Sequence, residues 1–186
     1  MIYELKDCRT GESETERRTT LAIERHGEDF VFVFTAENCK YFCPYGGKYN
    51  ELHSQGDACE ILIGSDPMRK VYYEIEISAS NGLMIAKMTY NGERDGGKEI
   101  LLDINFVEKP FVKSEVSLRD GGYVARLTFP LSAIKTGDGE VFFNAYRLDT
   151  DGGRFLVDDQ LMFALNPTLR NRFHTPNKFL LLKDFI

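Results

Sequence analysis

The sequence predicts an all-β protein, an antiparallel β-sandwich of two packed sheets in the jelly-roll or immunoglobulin-like manner. Three observations lead there. Short segments with apolar residues at every second position recur along the chain, which is the period of a half-buried strand. Turn signals separate them: Asn81-Gly82, Asp120-Gly121-Gly122, Gly137-Asp138-Gly139 and Asp151-Gly152-Gly153. No segment carries the apolar period of a long amphipathic helix.

Taken in order, residues 1–18 are polar and charged, and residues 11–18 are the least patterned stretch, so a loose N-terminal segment is expected. A strand is predicted over 19–25, followed by a tight turn at His26-Gly27-Glu28-Asp29. Residues 30–36, Phe-Val-Phe-Val-Phe-Thr-Ala, are apolar on both faces and predict a central, buried strand. A long connection, 38–56, carries Tyr41, Phe42, Tyr45 and Tyr49; loops of that length in a compact domain tend to be functional. Two strands then flank the turn Ser65-Asp66-Pro67. Further strands are predicted at 83–90, 100–106, 114–118, 123–129 and 141–148, with one helical turn at 131–135. Residues 161–165 and 179–182 read as short strands, and 166–178 as loop around Pro167 and Pro176.

The 186 residues suit one domain, 1–186, able to bury a core without cross-links. The net charge of −6 argues against nucleic acid as the main partner, because phosphate binding needs a basic face. No apolar run approaches the length of a membrane span. The start of the chain lacks the apolar stretch of a signal peptide, so a cytoplasmic protein is expected. Cys39, Cys43, His53 and Cys59 could be gathered around zinc, but the paired spacings of common zinc folds are missing. Free thiols in a reducing compartment are the simpler expectation.

The chemistry concentrates in the two strands around Ser65. Glu60 stands between Ala58 and Leu62 on one face of its strand, opposite Cys59, Ile61 and Ile63. On the next strand Tyr72, Glu74, Glu76 and Ser78 share a face, and Val71, Tyr73, Ile75 and Ile77 take the other. A carboxylate among apolar neighbours requires a partner or a ligand. Glu60 and Glu76 are therefore candidates to accept hydrogen bonds from vicinal hydroxyls. The alternative is a solvated sheet face on which Glu60 pairs with Arg147 or Arg126.

Four segments together resemble a known family. They are residues 57–63, the alternating strand 72–77, the strand 123–130 that ends in Pro130, and Phe143-Asn144-Ala145-Tyr146-Arg147 followed by Asn166-Pro167-Thr168 and residues 173–179. Their order and spacing are similar to those of family 9 carbohydrate-binding modules, within a wider DOMON-like superfamily of sandwiches. The resemblance implies non-catalytic binding of a mono- or oligosaccharide, in the manner of modules associated with polysaccharide degradation. By that likeness Glu60 would bind sugar hydroxyls, with Asn144 on a neighbouring strand. The family's two sugar-stacking tryptophans would fall near Ser54 and near Ala164 or Leu165, yet this chain has no tryptophan. Tyr45 or Tyr49 is expected to supply the ring instead, having an apolar face and a polar tip. Bound calcium is common in the family. Asp149, Asp151, Asp158 and Asp159 are its candidates here, close in sequence but without an EF-hand pattern.

Arg147 is a further candidate, able to grip a carboxylate bidentately or to form a structural ion pair. His174, between Phe173 and Pro176, reaches either a ligand or a structural partner. Asn144, flanked by Phe142 and Tyr146, is expected to be satisfied internally if buried. Two other functions were weighed. One is a structural or protein-interaction sandwich that has lost its sugar site. The other is a glycoside hydrolase using Asp57 with Glu60, or Glu60 with Glu76, although no nucleophile elbow or phosphate loop accompanies them. Haem ligation by Met84, Met88 and His174 is a further alternative.

Overall fold

The structure, a computed structural model, describes residues 1–38, 52, 56–135, 138–150 and 160–185. Thirteen strands form among the described residues: β1 (Ile2–Glu4), β2 (Lys6–Asp7), β3 (Thr19–His26), β4 (Asp29–Glu37), β5 (Ala58–Gly64), β6 (Val71–Ser78), β7 (Leu83–Arg94), β8 (Glu99–Phe106), β9 (Lys113–Arg119), β10 (Gly122–Pro130), β11 (Phe142–Asp149), β12 (Leu161–Ala164) and β13 (Leu180–Leu181). They make two antiparallel sheets. The smaller runs β1-β3-β4-β10-β9. The larger runs β2-β12-β11-β5-β6-β7-β8, with β13 paired to β11 beside β12. The sheets pack face to face, so the fold is a β-sandwich. No helix among the described residues is long and apolar enough to cross a membrane.

β4 occupies the middle of the smaller sheet, as its two apolar faces require. Phe32 pairs with Ile23 on one side and Leu127 on the other. Its ring stacks on Phe129 at 5.5 Å and meets Phe143 of the larger sheet edge-on at 5.7 Å. That cross-sheet contact puts the centre of the core between β4 and β11. The inward face of the larger sheet supplies Cys59, Ile61, Ile63, Ile75, Ile77 and Ala145 to it.

Turn chemistry fixes the registers. Asp66 accepts the backbone N–H groups of Met68, Lys70 and Val71, which closes the β5–β6 hairpin. Gly64 precedes that turn because a Cβ there would lie 2.6 Å from the Val71 carbonyl oxygen. Gly121 adopts a φ of 72° at the tip of the β9–β10 hairpin.

The N-terminal segment departs from expectation. β1 pairs with β3 in one sheet and β2 with β12 in the other. Between them the chain crosses the sandwich edge, and Leu5 and Cys8 are buried. Strands of two or three residues are too short to show a period, so their pairing was invisible in the sequence. β7 also runs beyond the expected end at Tyr90, through a bulge where Tyr90 and Gly92 face adjacent residues of β8.

Phe32 sits at the convergence of both sheets, so truncating it leaves a cavity that neither can close. Phe32→Ala is expected to lower unfolding free energy by about 3–5 kcal/mol, measured by urea denaturation. A loss below about 1 kcal/mol would mean that the core is centred elsewhere.

Candidate functional site

At its central strands β5 and β11 the outward face of the larger sheet is as buried as the inward face. Every residue of β5 and of β11 is buried. The outward positions form a second apolar cluster of Ala58, Leu62, Tyr72, Met84, Ala86, Met88, Phe142, Tyr146 and Leu148, which also takes in Cys8, Leu52 and Phe179. Period two on β5 and β6 places Glu60, Glu74 and Glu76 on this same face. Glu60 lies directly opposite Glu76 on one side and Tyr146 on the other. Glu74 follows on the same face two positions before Glu76. An oxygen of each carboxylate lies within 4.8 Å of the other two, and all three side chains are buried.

Glu60 is the unusual member. It is 0% exposed, and neither of its oxygens has a hydrogen-bond donor among the described residues. Burial pushes its carboxyl well above the ordinary value, and the charges of Glu74 and Glu76 push it further the same way. Two phenols flank the trio. Tyr72 lies 3.0 Å from Nδ1 of His174, whose Nε2 is 3.7 Å from Glu74. Tyr146 donates to the Phe173 carbonyl at 2.9 Å and accepts the Asn144 amide at 2.8 Å. Burial above all, then neighbouring carboxylates, raises the Tyr72 phenol, so it remains a neutral hydroxyl.

Of the residues proposed from sequence, Glu60, Glu76 and His174 gather at this face, and Asn144 lies on the adjacent strand. Asn144 is tied internally. Its Oδ1 accepts the Asn166 N–H at 3.0 Å and its Nδ2 donates to the Asn166 carbonyl at 2.9 Å. It fastens the segment after β12 to the sheet. Met84 and Met88 are buried on the same face, and Cys59 lies in the inter-sheet core.

Arg147 is not brought to Glu60. It occupies the opposite face of β11, wholly buried. There its Nη2 donates to Asp149 at 2.8 Å and lies 3.7 Å from Asp57, and its Nη1 donates to the Thr19 hydroxyl at 3.0 Å. Arg17 completes the group at 3.3 Å from Asp149. Asp57 in turn accepts the N–H and hydroxyl of Thr150. Arg126 lies on the smaller sheet, 3.9 Å from Glu24. The ion pair expected between Glu60 and either arginine is therefore not formed. Asp149, a calcium candidate from sequence, is engaged by Arg147 and Arg17. Tyr45, Tyr49, Cys39, Cys43, His53, Asp151, Asp158 and Asp159 lie outside the described residues.

Glu74 was the member of the trio not singled out, although the alternation Tyr72-Glu74-Glu76 carried its signal. Tyr146 as the partner across from Glu60 depends on strand register, which periodicity does not reveal. Residues 67–70, 168–170 and 175–178, with Tyr90 and Glu93, line a groove of about 780 Å³.

A β-sandwich with a polar cluster on one covered sheet face is the class that this geometry defines. No family model matches the chain, and no curated protein matches it. Among solved structures, a Bacteroides uniformis protein named for a presumed carbohydrate-binding role aligns at a TM-score of 0.71 and 15% identity, over 96% of this chain and 84% of that one. A family 9 carbohydrate-binding module from Caldicellulosiruptor kristjanssonii aligns in complex with glucose at a TM-score of 0.53 and 13% identity, over 96% of this chain and 82% of that one. Its cellotriose complex aligns at 0.53 and 13%, over 95% and 80%. At such identities the likeness is one of fold.

The raised Glu60 carboxyl has a consequence for stability. In the unfolded chain it titrates at its ordinary value of 4.5, and in the folded protein it holds its proton to higher pH. Above that value the folded state binds more protons than the unfolded one, so the Glu60 contribution falls as pH rises. Melting temperature measured from about pH 4.5 to about pH 8 is expected to decline more steeply for the wild type than for Glu60→Gln. Parallel curves would show that Glu60 has a partner in the folded protein.

Proposed function

We propose that this protein binds a mono- or oligosaccharide without catalysis, at the outward face of the larger sheet around Glu60. The observation that carries the reading is the Glu60 carboxyl itself, buried, flanked by two more carboxyl groups, and with no hydroxyl, amide or cationic donor on its oxygens among the described residues. Sugar hydroxyls supply what it lacks, as vicinal pairs of O–H donors. Tyr72 and His174 stand beside it with polar atoms and flat rings, the combination that saccharides use. The fold shared with modules solved with glucose and cellotriose supports the same reading.

Binding is favoured over hydrolysis by the arrangement. Glycosidases set two carboxyl groups on opposite sides of the scissile bond, whereas Glu60, Glu74 and Glu76 gather on one sheet face.

The test is a glycan array followed by calorimetry on each saccharide retained. Glu60→Gln keeps the shape and puts an amide donor where a carboxyl oxygen stood, so a sugar hydroxyl that donates there loses its acceptor, at a cost of about 1–3 kcal/mol. Affinity is therefore expected to fall by roughly tenfold to a hundredfold, while melting temperature at neutral pH holds or rises. Unchanged affinity in the variant would remove Glu60 from the site. An array with no retained saccharide, neutral or acidic, would defeat the proposal.

A further inference from the structure

The geometry points to an acidic saccharide as the ligand, with its carboxylates seated in the groove lined by residues 67–70, 168–170 and 175–178; this rests on the sugar-binding reading above. The groove, about 780 Å³, is within the size range of ligand pockets. Among the described residues it is lined by four cations, Arg69, Lys70, Arg170 and Lys178, against one carboxylate, Glu93. Glu93 is itself held at 3.3 Å by Arg170 and at 3.3 Å by Arg172. On a chain of net charge −6, a concave patch of the opposite sign concentrates anions against the field of the rest of the surface.

Three further features make the groove more than a run of surface lysines. Arg69 is preset: its Nη1 donates to the Phe179 carbonyl at 2.9 Å, and its guanidinium lies 4.2 Å over the Phe142 ring. A planar fork held in this way loses little freedom on gripping a carboxylate. Arg69 and Leu169, on opposite walls, have φ angles of 57° and 61°. Such left-handed backbone is uncommon outside glycine and gathers at ligand clamps. Finally, the Thr175 hydroxyl, in a buried residue of the lining, has no hydrogen-bond partner among the described residues. A ligand oxygen completes it.

The ligand this suits has anionic groups for the cations, hydroxyls for Thr175, and C–H faces for the exposed Met68 and Leu169 side chains on the lining. A uronate oligosaccharide has all three. Inorganic phosphate has only the first.

The experiment measures binding of acidic trisaccharides (galacturonate, mannuronate and a glucuronate-containing chain) against cellotriose, with inorganic phosphate alone as a separate arm. At least one acidic trisaccharide is expected to bind about tenfold or more tighter than cellotriose at low salt, and the gap to close in about 0.5 M sodium chloride. The double variant Lys70→Glu/Lys178→Glu is expected to lose that preference and keep its melting temperature, since neither side chain is buried. Thr175→Val serves as a second variant and is expected to weaken the acidic ligand several-fold. Cellotriose bound as tightly as every acidic trisaccharide would overturn this inference and leave sugar binding standing. Acidic binding that survives the charge reversal, or phosphate that competes at equal affinity, would overturn it as well. Failure of all the saccharides would sink both readings.

Discussion

At β5 and β11 the larger sheet is covered on both faces, and this constraint governs the rest of the molecule. β5 and β11 have no exposed position in fifteen residues between them. Inward, they meet β4 and β10 in an apolar core organised by Phe32, Phe129 and Phe143. Outward, they meet chain segments rather than a third sheet, and segments bring unpaired backbone groups with them. Polar side chains on the outward face answer that need. Asn144 binds the Asn166 backbone, Tyr146 binds the Phe173 carbonyl, and Tyr72 binds His174.

Two clusters of charge are buried by this architecture, and they are balanced differently. Around Arg147, carboxylates and guanidinium groups alternate: Asp57, Arg147, Asp149, Arg17, with hydroxyls from Thr19 and Thr150. Removing one partner from such a group leaves an uncompensated charge, so it locks the end of the sandwich. Around Glu60 the neighbours are of like charge. Like charges directly opposite on paired strands oppose the pairing, and Glu60 faces Glu76 in register.

Much of the fold was legible because period two survives in isolated strands. The apolar faces of residues 30–36 placed β4 at the centre, and the alternation in 71–78 put Glu74 and Glu76 on one face. Parity also carried information that a motif reading overrides. Asn144 and Arg147 are three positions apart on one strand, so they cannot share a face, and proximity in sequence was no guide to a common site. What parity cannot supply is register and segment position. Tyr146 opposite Glu60, the crossing of residues 2–7 between the sheets, and the gathering of Arg69 and Arg170 on one groove lining all depend on how residues far apart in the chain come together.

The covering segment links the acidic cluster to the groove. Residues 166–179 are fastened at successive points: Asn166 to Asn144, Phe173 to Tyr146, His174 to Tyr72, and Phe179 to Arg69. The first three fasten it across the sheet face that carries the carboxyl groups. The last draws the Arg69 guanidinium onto Phe142 and sets one wall of the groove. Burial of Glu60 and the shape of the basic groove are thus two results of one set of hydrogen bonds between a sheet face and a single length of chain. A side chain that loosened this attachment would expose the carboxylates and widen the groove together. The course of residues 166–179 therefore depends on the packing of the strand face that carries Asn144, Tyr146 and Tyr72.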